Sequence, residues 1–179
     1  MRLMATVLLI VVVMQADGLL SPCTAYELRS KYATIIYDNP EDLRRYNKEL
    51  YLAGRLRSQV RQYKTDTVEQ EVVAKIDVIT EKAMRVLDMY PRPLNYSIKI
   101  LPGRDEVAHA FKQIYNVNVD YIAFYSPRLN RVFYSSNNGR LRVTCHEIGH
   151  VVVESYFKIS PPQRIHEVMA QYVEKHIND

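Results

Sequence analysis

Residues 143–152 read VTCHEIGHVV, and this decapeptide constrains the fold more than any other stretch of the chain. His146 and His150 are four positions apart, so on an α-helix they project from one face. Two imidazoles so placed can share one metal ion, and neutral imidazole suits Zn²⁺. Glu147, between them, can take a proton from a water on that metal. The flanking residues, Val143 to Cys145 and Ile148 to Val152 apart from His150, are uncharged, as expected of a buried helix. A catalytic zinc takes three protein ligands and keeps one position open. A second element must therefore bring a third ligand to this helix from downstream.

Metzincin-type sites place a glycine and a third histidine where this chain has Val153 and Tyr156, so that class is excluded. Glu154 lies two turns beyond His146, too far along a straight helix to close the coordination shell. It reads as a structural residue or a partner to a ligand. The final helix offers His166, Glu167, Glu174 and His176. Glu167 is the expected ligand and His166 the alternative. Glu167 sits one turn inside a helix that follows a tight Pro161-Pro162 turn, so the two helices can pack face to face. Ala170 is small enough for close approach, and Gln171 shares the face of Glu167, from which it could orient a ligand histidine. Cys145 points about 100° away from the metal face and reads as a small buried side chain. His109 reads as structural or exposed. Tyr156 and Tyr172 are candidate oxyanion donors that the sequence does not place.

The remaining elements follow from periodicity and caps. Residues 32–37 (YATIIY) are β-branched and aromatic, a short strand. Asn39-Pro40-Glu41-Asp42 starts a helix expected to reach about Leu52. Thr67 and Gln70 form a capping box before a long amphipathic helix ending ahead of Pro91. Tyr96–Leu101 alternates as a strand, and residues 105–115 read as a helix. Residues 121–125 and Arg131–Ser135 read as a hairpin around SPRLN. Residues 141–157 form the HExxH helix. Ser160 caps the last helix, which runs to about Ile177 with Gln163 at its capping-box position. The fold class is α+β: a small mixed sheet with an edge hairpin, packed against the HExxH helix and a C-terminal third-ligand helix.

Of the 179 residues, 47% are hydrophobic and 25% charged, an ordinary globular balance that excludes fibrous and disordered classes. The net charge of +4 is too small to indicate nucleic-acid binding, and the basic residues around 44–64 are interspersed with acids. Two cysteines exclude a disulfide scaffold. Arg2 followed by the apolar run at 3–14 reads as a signal peptide occupying residues 1–25, which leaves 26–179 as one domain exported to the periplasm or beyond the cell. The run is shorter than a bilayer requires. Membrane attachment follows only if this segment is uncleaved, or lipidated at Cys23, where Pro22 departs from the usual small residue.

His146-Glu147-x-x-His150, with the later Glu167-x-x-Ala170-Gln171-Tyr172, resembles the gluzincin metallopeptidases, the broad thermolysin-like group, and in particular their small single-domain members. The likeness covers roughly residues 95–175. Two features depart from the group: the short separation between His150 and Glu167, and Gln171 where some relatives carry an acid. The resemblance implies a zinc peptidase in which His146, His150 and Glu167 hold the metal and Glu147 is the general base. It also implies that the second strand of the hairpin, Arg131–Ser135, is the sheet edge that holds extended peptide or protein substrate. A non-catalytic, zinc-stabilised protein-binding module on the same scaffold is the alternative reading.

Overall fold

Five strands and six helices build the fold in the computed structural model, which describes residues 25–179. The expected signal peptide, apart from its last residue, and Cys23 lie outside the described residues. Strands β1 (Tyr26–Arg29) and β2 (Ala33–Tyr37) lead into helices α1 (Pro40–Glu49), α2 (Gly54–Val60) and α3 (Val68–Leu87). Strand β3 (Tyr96–Leu101) and helix α4 (Arg104–Tyr115) follow. The hairpin β4 (Ala123–Ser126) and β5 (Arg131–Ser135), helix α5 (Leu141–Tyr156) and helix α6 (Gln163–His176) complete the order. Among the described residues no helix is long and apolar enough to cross a membrane.

The sheet order is β1-β2-β3-β5-β4. β2, β3 and β5 run parallel, and the outer pairs β1/β2 and β4/β5 are antiparallel. The sheet is mixed, as expected, but its edge is corrected. Arg131–Ser135 lies between β3 and β4, hydrogen-bonded on both sides, so it cannot accept another strand. The edge on the hairpin side is β4, and β1 is the opposite edge. Periodicity identifies a hairpin but carries no information about which arm inserts next to β3.

Alternation divides the side chains between two faces. Ile35, Tyr37, Ile98, Ile100, Val132 and Tyr134 join α1, α3 and α5 in the main core. On the other face Phe124 and Phe133 pack with Val107 of α4 in a separate, smaller cluster. This second layer is thin: Val107 is the one fully buried residue of α4.

Several start signals act as their chemistry requires. The Asn39 side chain accepts from Glu41 N at 2.9 Å, with Pro40 at the first position. Thr67 accepts from Gln70 N, while the Gln70 side chain accepts from Asp66 N, one residue short of the expected reciprocal bond. Two expectations need correction. α1 stops at Glu49, and the separate helix α2 begins at Gly54, whose φ of +53° suits glycine. Helix α6 begins at Gln163 after Pro162 with no side-chain cap, because Ser160 is engaged elsewhere.

Gly139 sets the entry to α5. A Cβ there would stand 2.4 Å from the ring of Tyr46, a fully buried residue of α1 whose hydroxyl meets Thr144 Oγ1 at 3.1 Å. Gly139→Ala is expected to cost about 1–3 kcal/mol by overpacking and to lower the melting temperature by roughly 2–12 °C, read by calorimetry.

Candidate metal centre

Helix α5 presents His146 and His150 on one face, and α6 crosses it closely enough to add Glu167. The close crossing depends on small residues. A Cβ on Gly149 would lie 3.0 Å from the Ala170 Cα and 3.4 Å from Val173 Cγ2. Ala170 therefore has the role its size suggested. His150 Nε2 is 3.2 Å from His146 Nε2, and each lies 3.6 Å from a Glu167 carboxylate oxygen. Bonds of about 2.0–2.1 Å at a tetrahedral zinc put donor atoms about 3.3–3.4 Å apart. The donor set therefore fits one small divalent cation, and the three residues form a group that could hold a metal ion.

Supports around the donors differ in part from expectation. Gln171 is exposed and makes no bond to a ligand histidine. Glu174 stands nearer, with Oε2 3.4 Å from His146 Nδ1, a buried atom that has no aligned hydrogen-bond partner. Arg142 Nε donates to the other Glu174 oxygen at 2.7 Å. Glu174 lies seven residues after Glu167, two helical turns along the same face, and that spacing was the available signal. Gln163, expected as a cap, instead donates from its amide to Glu167 Oε1 at 2.8 Å.

The alternative ligand His166 is buried and lies outside the donor triangle. Its Nε2 meets Glu154 Oε2 at 3.2 Å and Ser160 Oγ at 3.2 Å, and Ser160 donates to Glu154 at 2.6 Å. Glu154 thus ties the α5–α6 connection to α6 and contacts neither ligand histidine. Cys145 is fully buried, and burial pushes its thiol up to about 12. His109 is exposed and paired with Gln113. Tyr156 and Tyr172 are each about half exposed. Neither lines the cleft, so neither takes the oxyanion role.

Glu147 is 9% exposed. Burial pushes its carboxyl up to about 8, against the opposing pull of a Tyr125 backbone N–H and with a smaller push from Glu167. A cation held by the neighbouring donors would draw that value back down. Burial, aided by the adjacent His146, moves His150 below the ordinary imidazole range and keeps it neutral, the form that binds metal.

These groups line a cleft of about 910 Å³ between α5, α6, β4 and α4. Its β4 wall carries unpaired backbone groups. Ile122 O accepts from Ser135 N and so faces β5. Alternation along the antiparallel pair leaves the N–H and C=O of Ala123 and Tyr125 pointing into the cleft. Sequence reasoning missed this wall because it depends on strand order. Compared with known proteins, the chain matches no family model, no curated protein and no solved structure.

Proposed function

We propose that this chain is an exported, zinc-dependent peptide-bond hydrolase of minimal gluzincin form. One observation carries the reading: three donors at tetrahedral spacing adjoin a buried carboxyl that is not a ligand, beneath an open strand edge. A structural zinc normally closes with four protein ligands and needs no such carboxyl. Two imidazoles and a carboxylate in this geometry favour zinc. His146, His150 and Glu167 would hold it, and Glu174 and Gln163 would steady two of those ligands. When bound, the metal would supply Lewis acidity to a scissile carbonyl and acidify a water in its open position.

The chain's own groups do the rest. Ala123 and Tyr125 hydrogen-bond an extended peptide by strand addition. Glu147 accepts the proton of the attacking water and delivers it to the departing amine, a role suited to a carboxyl tuned towards neutral pH.

Hydrolysis of casein, an unstructured substrate, tests the reading. Purified protein is expected to contain about one zinc per chain, to lose hydrolysis on chelation and to regain it with added zinc. Full activity in metal-free protein would overturn the proposal.

A further inference from the structure

Helix α6 has a third side that neither the core nor the metal centre uses. At about 100° per residue, His166, Ala170 and Val173 fall on its buried side, while Glu167 and Glu174 turn towards His146. The remaining side holds Arg164, Ile165, Val168, Tyr172 and Lys175, all exposed. The connection that leads from α5 into this helix adds exposed Phe157, Lys158 and Ile159. Ile159 is 87% exposed and Val168 58%, far more than isolated apolar side chains need be. The Ser160 hydroxyl donates to Glu154 at 2.6 Å and meets His166 Nε2 at 3.2 Å. Those bonds pin the backbone beside Ile159, so its side chain is held outwards.

Charge on this surface has one sign. Lys158, Arg164 and Lys175 enter no ion pair among the described residues. Between Ser155 and Lys175 the carboxylates are Glu167 and Glu174, both engaged at the metal centre. Exposed apolar patches mark protein or membrane contacts, and the three cations decide between occupants. A second copy of the chain would set these cations against themselves across a two-fold axis. An acidic protein would match the charge but would need a pocket for each protruding side chain, Ile159 above all. A lipid interface accepts protruding apolar groups without a matching pocket, and Lys, Arg and Tyr settle at its headgroup level.

We infer that the outer side of α6 and the α5–α6 connection bind an anionic lipid surface. Ile159, Ile165 and Val168 enter the acyl boundary, and Lys158, Arg164 and Lys175 meet the anionic headgroups. Ser160, Gln163 and His166 line the metal cleft, so the bound protein holds that cleft beside the membrane. Lipid binding needs neither metal nor hydrolysis, and its loss would leave the proposed hydrolase intact.

The apolar run at 3–14 would itself enter lipid, so the experiment uses residues 26–179. That stretch contains the whole sheet, all six helices and both apolar clusters described above. Purified protein is co-sedimented with vesicles of phosphatidylcholine, alone or with about one third phosphatidylglycerol. Partition onto the anionic vesicles is expected to exceed that onto the neutral ones by about tenfold or more, and to fall as salt rises. Ile159→Ser should weaken it several-fold. Lys158→Glu combined with Arg164→Glu should abolish the anionic preference. All three residues are exposed, so melting curves should not change. No partition, equal partition onto both vesicle types, or partition indifferent to these substitutions would overturn the proposal. A lipid-free dimer in sedimentation velocity that Ile159→Ser dissolves would give the surface to a second copy instead. Binding of polyglutamate but not of vesicles would give it to an acidic protein.

Discussion

Glu147→Gln is expected to retain zinc and fold while losing at least 10²–10⁴-fold in hydrolysis, the usual contribution of a positioned general base. Glutamine matches the shape of glutamate. It has no carboxylate to take a proton. Because Glu147 lies outside the donor triangle, metal content should stay at the wild-type value. Its burial works in favour of the substitution's stability, since a neutral amide escapes the desolvation that raises the carboxyl to about 8. On the binding-module reading the same change alters no measurable property. The comparison is casein hydrolysis by the two proteins, with zinc determined in each. Equal rates would eliminate Glu147 as the base and with it the proposed mechanism.

Local chemistry was readable wherever one segment contained the whole signal. Asn39 and Thr67 cap their helices because a short polar side chain and its target N–H lie two or three residues apart. The 3.6-residue period placed His146 and His150 on one face, and a single small residue, Ala170, announced where α6 could approach. What sequence missed depends on distant partners. β1 is four mostly exposed residues with no pattern of its own, defined by pairing with β2. The inner position of β5 is decided by its parallel pairing with β3, 34 residues upstream. Gln171 shares a face with Glu167, but so does Glu174. Only the crossing of α5 and α6, together with Arg142, decides which one approaches His146. Ser160 has the composition of a cap, yet half-buried Glu154 and buried His166 claim its hydroxyl.

Removal of the third donor should be as decisive as removal of the base, and on a different readout. Glu167→Ala leaves two imidazoles 3.2 Å apart with no carboxylate to complete the set. Even supporting residues beyond the ligands typically account for 10–100-fold in metal affinity, so loss of a direct donor should exceed that range. After dialysis against metal-free buffer the variant is expected to hold almost no zinc where the wild type keeps about one per chain. The consequence extends to stability. A metal bound by the folded chain alone stabilises it by mass action, so zinc should raise the melting temperature of the wild type and leave that of Glu167→Ala unchanged. The fold should survive, because Glu167 is partly exposed and its neighbour Ala170, not its carboxylate, sets the helix spacing. His166→Ala is the matched control: it breaks the contacts to Glu154 and Ser160 but removes no donor, so zinc should remain at or near one per chain. Zinc retained in Glu167→Ala and lost in His166→Ala would transfer the ligand to His166. Zinc retained in both would point to Glu174, whose carboxylate already stands 3.4 Å from His146.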